Sequence, residues 1–390
     1  MIPLRILNVV GGPRNFIKMA PIMAEMRRSR EVEPILVHTG QHNRGFFPSV
    51  FFRDLGLAEP DFVLDVESSS DAKQTAAIID RFEDTVLETR PDLVLVIGDV
   101  NSTVAASMTA VKMGVPVAHV EAGLRSFDRA DPREINRVMT DAISDFLFVT
   151  EESAVNNLMG EGIDASRIHF VGNVLVDTLR ANADRILEST VVTDLGLSRD
   201  SYAVLTLRSP TAADGPQPMK ATIEALEKIQ SRVPVVFPVD VETATRLHGI
   251  GFWQSIQNLP NVMVVEPIAY FDFIALLQCS RMVLTDTSGV QEEATALQVP
   301  CLTLRSRTER PATVSSGTNR LVGRDPHVIV AEAMRILRGD AKKSRVPPMW
   351  DGRAARRLVG QLLNKREEVL ELHRNVGIMH ECTVISDRAM

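Results

Sequence analysis

The fold is decided by the stretch LVLVIGDVNSTVAASMTAVKMGVPVAHVEAGLR, which covers residues 93–125. An apolar run at Leu93–Gly98 is followed by an amphipathic segment at Thr103–Met113 and by a second apolar run at Pro116–Glu121. Near-continuous Val, Ile and Leu runs separated by helical patterns are typical of parallel strands that helices cover on both faces. The stretch therefore predicts a β-α-β unit within a parallel sheet.

The same alternation extends in both directions along the chain. Further apolar runs predict strands at Arg5–Val10, Glu33–His38, Phe146–Thr150, Tyr202–Leu207, Val233–Pro238, Val262–Val265, Met282–Thr285 and Pro300–Leu304. Amphipathic segments predict helices at Ile17–Arg28, Asp71–Thr89, Arg133–Ile143 and Lys220–Gln230. Because the alternation occurs twice, we expect two doubly wound α/β domains, at 1–174 and 175–354. Residues 355–375 then form a closing helix that packs back toward the first domain, and 376–390 form a tail.

Composition excludes several classes of protein. The 390 residues carry a formal net charge of −7, whereas general nucleic-acid binding needs a basic surface. The three cysteines are too irregularly spaced for a disulfide framework or a zinc motif, and no histidine pair has metal-ligand spacing. No apolar run reaches the roughly 18 residues of a membrane span, and the N-terminus lacks a signal-peptide layout. We therefore expect a cytoplasmic protein without a bound metal.

Polar residues at the predicted strand ends indicate where a ligand binds. In open α/β sheets, ligands lie beyond the carboxyl ends of the strands, and two such domains favour the cleft between them. After the first strand, Gly11 and Gly12 precede the cations Arg14 and Lys18. Backbone N–H groups at a helix start favour an anion there. Taken alone, a glycine pair after a strand is more often just a tight turn.

Two carboxylates, Asp99 and Glu121, follow neighbouring predicted strands. A buried acid at a strand end is costly unless it is paired or functional, and two carboxylates are what proton transfer at a carbon needs. Structural interpretations stay open, with Asp99 as a helix cap and Glu121 in an ion pair with Arg125. Glu134, at the start of the next helix, is also typical of a first-turn residue that complements the helix dipole.

The second half of the chain has a comparable strand end, followed by a helix start, at Thr285–Glu293. The amides of Ser288 and Gly289 favour a phosphate, and a carboxylate one turn later favours ribose hydroxyls. A capped helix with an acidic first turn is the alternative. Arg310, after the following strand, has the guanidinium geometry for a diphosphate, or is simply a solvated side chain.

In this order, the motifs resemble those of the non-hydrolysing UDP-N-acetylglucosamine 2-epimerases from about Leu4 to Leu363. They are GQH at 40–42, GDVNSTVAAS at 98–107, HVEAGLRSFDR at 119–129, EINRVMTD at 134–141, GNVLVDTL at 172–179, SGVQEEA at 288–294 and TERP at 308–311. The resemblance implies a glycosyltransferase-B-like fold of two Rossmann-like domains facing a central cleft, a homodimer, a UDP-sugar substrate and no cofactor. It implies inversion at C2 of the sugar by elimination and re-addition of UDP.

The resemblance also implies roles for individual residues. Catalytic roles fall on Lys18, Asp99 and Glu121. Contacts to the sugar or to UDP are expected for Arg14, His42, Arg125, Glu134, Arg208, Phe273, Ser288, Gly289, Glu293 and Arg310.

The chain departs from the family pattern at several of these motifs. The family's Arg-Pro is reversed at Pro13-Arg14, Arg133 replaces a carboxylate, Arg208 replaces a histidine, and Asp240 and Ala312 differ as well. Arg208 keeps a cation for a diphosphate but cannot shuttle a proton. The sequence therefore leaves three functions open: a 2-epimerase, a UDP-sugar glycosyltransferase or hydrolysing variant, and a UDP-sugar-binding protein without catalysis.

Overall fold

The computed structural model describes residues 2–40, 49–66, 70–207 and 217–373. The chain divides into two compact units. Unit 1 comprises Met1–Ala181 together with Pro348–Met390, and unit 2 comprises Asn182–Pro347. The predicted boundaries at 174 and 354 lie within a few residues of the two places where the chain passes from one unit to the other.

Unit 1 contains a seven-stranded sheet in the order β3-β2-β1-β4-β5-β6-β7. Every pairing in it is parallel. The strands are β1 (Leu4–Val10), β2 (Val32–His38), β3 (Phe62–Val63), β4 (Leu93–Ile97), β5 (Val117–Val120), β6 (Phe146–Val149) and β7 (Ile168–Phe170). The helices are α1 (Pro13–Arg28), α2 (Ser49–Asp54), α3 (Asp71–Thr89), α4 (Asn101–Lys112), α5 (Pro132–Ile143), α6 (Glu152–Gly160), α7 (Val174–Ala181) and the returning α17 (Ala354–Asn364).

Unit 2 contains a six-stranded sheet in the order β10-β9-β8-β11-β12-β13, again parallel throughout. The strands are β8 (Ala203–Thr206), β9 (Val235–Pro238), β10 (Val262–Val265), β11 (Met282–Thr285), β12 (Cys301–Thr303) and β13 (Asn319–Leu321). The helices are α8 (Ala183–Glu188), α9 (Val191–Asp194), α10 (Gln217–Ile229), α11 (Val241–Gly249), α12 (Trp253–Gln257), α13 (Tyr270–Gln278), α14 (Ser288–Ala296), α15 (Pro311–Ser315) and α16 (Pro326–Leu337).

The predicted fold class, two doubly wound parallel sheets, is confirmed. Each apolar run that predicts a strand forms one, with ends shorter by one or two residues in most cases. The short edge strands β3, β7 and β13 escape prediction because two or three residues, some of them polar, do not make an apolar run. Helix α1 begins at Pro13 rather than Ile17, with proline at the start of the first turn, where its missing N–H is no loss.

The core of each unit lies between its sheet and the covering helices. In unit 1, Leu7, Val94 and Val96 pack with Phe82 of α3 and Ala106 of α4, and all five are buried. Burial of a Leu, Val or Phe side chain contributes about 1.5–3 kcal/mol. The central strands are apolar along their whole length because helices cover both of their faces.

The returning chain of unit 1 is attached by hydrogen bonds to α7 and to Thr150, the residue after β6. Asp177 accepts from the backbone amides of Ala354 (3.1 Å) and Ala355 (2.8 Å), and so caps α17 from another helix. Burial raises the pKa of Asp177 to about 6, against the pull of those amides. The buried indole of Trp350 donates to the Thr150 carbonyl at 3.1 Å.

Strand order reverses at the same place in both sheets. The chain proceeds outward from β1 to β3 and then returns to β4, and it does the same from β8 to β10 and β11. Ligands of doubly wound sheets bind at the carboxyl ends of the strands that flank this reversal. Among the helices of the described ranges, none has the length and apolar character to cross a membrane.

Candidate active site

A buried ion pair lies at the reversal point of unit 1. Lys18 on α1 places its Nζ 2.6 Å from the carboxylate of Glu121, and both side chains are almost fully buried. Glu121 directly follows β5 and has a φ of 71°. A non-glycine residue in this left-handed region costs about 1–3 kcal/mol and persists only where the surroundings hold it, which is common at functional sites. The strained backbone turns the Glu121 carboxylate toward α1.

Gly98 makes room for this pair. It follows β4 with a φ of +76°, and a Cβ there would lie 3.3 Å from Nδ2 of Asn15 and 3.7 Å from Oε2 of Glu121. Asn15 in turn donates to the carbonyl of Ile97 at 2.9 Å. A side chain at 98 would therefore crowd the amide that joins α1 to β4.

A second charged group connects Asp99 to α5 through Arg137. The Nη1 of Arg137 donates to the Asp99 carboxylate, while its Nε and Nη2 donate to Glu134 at 3.0 and 2.7 Å. Glu134 also accepts from the backbone amides of Ser126 (3.0 Å) and Phe127 (2.8 Å). Burial raises the pKa of Glu134, but the Ser126 amide and Arg137 outweigh it, so the pKa lies below its usual value.

A third group lies behind these two, around Asp141 of α5. Asp141 accepts from Nη1 of Arg125 (2.7 Å) and from the Gly123 amide (3.0 Å), and it lies 2.6 Å from Nδ1 of His119. Arg125 also makes a two-pronged ion pair with Glu161, at 2.6 and 2.7 Å. Burial raises the pKa of Asp141, yet His119 and Arg125 together hold it below its usual value.

These contacts decide between the structural alternatives. The alternative of an ion pair between Glu121 and Arg125 is wrong, because Glu121 pairs with Lys18, and Arg125 pairs with Asp141 and Glu161. Asp99 as a helix cap is also wrong, since α4 begins at Asn101 with no side-chain hydrogen bond at its cap. Glu134 does lie in the first turn of α5, but its carboxylate is buried against Arg137 and two loop amides.

The departures at Arg133 and Arg14 differ from the buried network residues in their exposure. The side chain of Arg133 is exposed, whereas the neighbouring Glu134 is buried. Arg14 is half-buried in the first turn of α1. The buried carboxylate that α5 contributes to the network is therefore present in this chain.

Sequence reasoning missed Arg137 and Asp141 as members of the network. Both lie inside the EINRVMTD motif, and with Glu134 they are spaced three and four residues apart on α5. Residues at this spacing share one helix face. A buried face made of a glutamate, an arginine and an aspartate is the signal that identifies them, because buried charges of this kind need partners.

In unit 2 the strand ends at the reversal point carry hydroxyl groups. Thr206 donates through its hydroxyl to that of Thr285 at 2.7 Å, and the Thr287 amide donates to the same oxygen at 3.0 Å. Helix α14 begins at Ser288, followed by the buried Gly289. Its first turn contains no acidic residue, and Thr287 makes no side-chain cap. The alternative of a capped helix with an acidic first turn is therefore wrong.

Behind this turn, α14 carries buried acids. Glu292 lies 3.0 Å from Nη1 of Arg310, and both side chains are buried. Glu293 accepts from the hydroxyl of Tyr270 at 3.1 Å. The alternative of a solvated Arg310 is therefore wrong. Phe273 is half-buried on α13, on the same helix as Tyr270.

Two of the predicted residues, His42 and Arg208, lie outside the described residues. Within the described ranges, no group of three or more His, Cys, Asp or Glu side chains is arranged to hold a metal ion.

Comparison with known proteins gives a consistent result. Residues 24–363 match the family UDP-N-acetylglucosamine 2-epimerase. The chain is 33% identical to a UDP-N-acetylglucosamine 2-epimerase of Methanococcus maripaludis over 92% of this chain and 98% of that protein. It is 37% identical to the UDP-2,3-diacetamido-2,3-dideoxy-D-glucuronate 2-epimerase of Pseudomonas aeruginosa, over 86% of this chain and 92% of that protein.

One solved structure matches this chain over most of its length. It is the UDP-GlcNAc 2-epimerase of Methanocaldococcus jannaschii in complex with UDP-GlcNAc and UDP, with a TM-score of 0.86 and 34% identity. The match covers 93% of this chain and 100% of that one. From the match over most of its length and from these relatives, the chain belongs to the UDP-N-acetylglucosamine 2-epimerase family.

Proposed function

We propose that this protein is a nucleotide-sugar 2-epimerase, an isomerase that acts on UDP-N-acetylglucosamine or a related UDP-sugar. The observation that carries the proposal is the pair of carboxylates, Asp99 and Glu121, at neighbouring strand ends of unit 1, each held by its own cation. The named relatives act on two different UDP-sugars, so the choice of sugar stays with experiment.

The reaction needs one group that takes a proton from one face of C2 and another that supplies a proton from the opposite face. One carboxylate removes the proton from C2 of the sugar, the C–H electrons form a C1=C2 double bond, and the bond between C1 and the UDP oxygen breaks with its electron pair leaving on UDP. UDP then adds back to C1, and a proton returns to C2 from the opposite face. Positioned acids and bases of this kind contribute roughly 10²–10⁴-fold. We assign the two proton transfers to Asp99 and Glu121, and to Lys18 the stabilisation of the charge on Glu121.

The two units have different parts in this proposal. In unit 2, the amides of Ser288 and Gly289 bind phosphate, since the start of α14 lacks both an acidic residue and a side-chain cap. Arg310 stabilises the diphosphate charge, Glu293 accepts from the ribose hydroxyls, and Phe273 contacts the uracil.

Arg14 of unit 1 adds a cation near the diphosphate, and His42 and Arg208 keep the substrate contacts that the resemblance implies. Arg125 and Glu134 are each surrounded by partners from their own unit. For these two residues we therefore favour a supporting role behind the substrate over direct contact.

We also propose a cytoplasmic homodimer. The adjacent helices α3, α4 and α5 expose Leu87, Val111, Val138 and Met139, each at least 39% exposed. Apolar side chains on one set of neighbouring helices are typical of a protein contact surface. Cys279 and Cys301 are free thiols, as in a reducing compartment. Sedimentation of the purified protein measures the assembly directly, and a monomer at micromolar concentration contradicts it.

Incubation with UDP-N-acetylglucosamine in D₂O, followed by proton NMR, tests the function. Deuterium at C2 together with signals of the manno-configured sugar is the expected result. Release of UDP without exchange at C2 indicates transfer or hydrolysis instead, and unchanged substrate with saturable UDP binding indicates a binding protein. The diacetamido-glucuronate sugar, run in parallel, decides between the two substrates of the relatives.

A further inference from the structure

We infer that Arg137 is a positioning residue of the epimerisation. Arg137 is anchored on Glu134, holds the Asp99 carboxylate in place and favours its ionised form. The inference rests on the proposed function. Arg137 makes a side-chain ion pair with Asp99, and the resemblance implies no role for it.

The three side chains differ in their access to solvent. The side chains of Arg137 and Glu134 are 3% and 4% exposed, whereas that of Asp99 is 24% exposed. Of the three, Asp99 is thus the group that a substrate reaches. Arg137 lies behind it and acts on the reaction through the Asp99 carboxylate.

Arg137 is itself held rigidly. Its Nε and Nη2 both donate to Oε2 of Glu134, and Nη2 lies 3.4 Å from the hydroxyl of Ser126. Glu134 is fixed in turn by the amides of Ser126 and Phe127. A planar guanidinium with donors on both edges satisfies two carboxylates at once, which a lysine ammonium cannot do with the same geometry.

The neighbouring residue on α5 holds the backbone of Asp99 as well. Asn136 donates through Nδ2 to the Asp99 carbonyl at 3.0 Å and to Oδ1 of Asn101 at 3.1 Å. Helix α5 therefore holds Asp99 by its main chain and by its carboxylate. A double attachment of this kind defines the position of a group more narrowly than one hydrogen bond does.

Charge gives Arg137 a second effect. Asp99 and Glu134 share this one guanidinium, and Asp131 lies 4.0 Å from it. The other charged groups nearby are Lys18 and Glu121 beside Gly98, and Asp71 of α3, which Asn101 contacts. Loss of Arg137 removes the positive charge that Asp99 and Glu134 share. Removing an opposite charge from neighbouring carboxylates disfavours their ionised form and so raises their pKa values.

The test compares Arg137→Met and Arg137→Lys with the unmodified full-length protein between pH 5 and 9, by the rate of deuterium uptake at C2. For R137M we expect kcat/KM to fall about 10²-fold, as for a misplaced catalytic group, and the acid limb of the pH profile to move to higher pH. For R137K we expect partial recovery of the rate and an acid limb near that of the unmodified protein, because the charge is kept. UDP affinity should change less than about twofold in both, since phosphate contacts are untouched.

Arg357→Met is the matched control. Arg357 is a half-buried arginine of unit 1 that binds Asp351 and the carbonyls of Val171 and Met349. Its loss should lower thermal stability without moving the acid limb. Arg137→Gln replaces R137M if the methionine variant does not fold, and the same movement of the limb is expected of it.

Three results overturn the inference: an R137M rate within a few fold of the unmodified protein, an unmoved acid limb, or no recovery in R137K. These outcomes leave the proposed function intact, because the unmodified protein still exchanges deuterium. Absence of exchange in the unmodified protein overturns the proposed function, and this inference with it.

Discussion

The two units share one topology but carry different chemistry at the same place. In both, strand order reverses beside the first strand, and the loops after the central strands meet there. In unit 1 those loops and α1 contribute the ion pairs Lys18–Glu121 and Asp99–Arg137. In unit 2 the corresponding strand ends contribute the hydroxyls of Thr206 and Thr285, with the ion pair Glu292–Arg310 behind them.

The two units also differ in the backbone conformation of the residues that follow their strands. Glu121, directly after β5, is held in the left-handed region, whereas residues 286–288 after β11 have no positive φ. Strain and paired ionisable groups favour proton chemistry, while hydroxyls and amides bind a ligand without titrating. The comparison teaches that the fold supplies the location of a site, and that local residues supply its chemistry. Four experiments test this contrast between the units.

The largest effect is expected for Glu121→Gln in unit 1. The substitution keeps the size of the side chain and removes its charge, so kcat should fall roughly 10²–10⁴-fold while UDP binding, assigned to unit 2, changes little. Deuterium uptake at C2 and calorimetric titration with UDP measure the two quantities. Glu152→Gln, at an exposed position on α6, is the control. An E121Q protein within about tenfold of normal activity would remove the proposed distinction between the units.

A smaller effect is expected for Arg310→Lys in unit 2. The lysine keeps a positive charge beside Glu292 but loses the two-pronged guanidinium, so the dissociation constant for UDP should rise about tenfold. The rate at saturating substrate should stay within a few fold. Arg320→Lys, which retains a surface pairing with Glu332, is the control. If the rate falls and UDP affinity does not, Arg310 belongs with the catalytic groups instead.

A third experiment tests whether the stability of unit 1 depends on pH. Because the pKa of Asp177 is raised to about 6 in the folded protein, the unfolded chain ionises at lower pH. The contribution of Asp177 to the free energy of unfolding is therefore complete below the pKa of this group in the unfolded chain, and it is lost as the pH rises through about 6. The expected loss of unfolding free energy between pH 5 and 7 is on the order of 1 kcal/mol.

Tryptophan fluorescence isolates unit 1 for this measurement. The chain has two tryptophans, so a Trp253→Phe background leaves Trp350 of unit 1 as the reporter in urea unfolding. Asp177→Asn in that background should abolish the difference between the two pH values. An equal pH dependence in D177N would assign the effect to other groups.

The smallest effect is expected for Arg133→Glu, which restores the family's carboxylate. Because the Arg133 side chain is exposed and Glu134 already occupies the buried position, kcat/KM should change by less than about twofold. Steady-state assay of R133E against the unmodified protein measures this. A tenfold gain in kcat/KM would show that the arginine at position 133 lowers the activity of the protein.

Individual residues show how far sequence reasoning reaches. The strands β4 and β5 and the carboxylates that follow them are evident from apolar runs ending in Asp99 and Glu121. The partners of those carboxylates are not evident. Arg125 stands four residues from Glu121 in sequence, yet the ion pair is made by Lys18, which is separated from Glu121 by 103 residues. Arg137 reaches Asp99 across 38 residues.

The two doubly wound sheets, the strand ends that carry the polar residues, and the family can all be predicted from the amino-acid sequence. These follow from periodicity and from short motifs, which are local properties of the chain. The packing of the folded chain determines that Lys18 pairs with Glu121, that Arg137 joins Asp99 to Glu134, and that the side chain of Arg133 is exposed. The physical reason is that a charge buried at a strand end takes the nearest opposite charge in space. That neighbour is set by how α1 and α5 pack on the sheet.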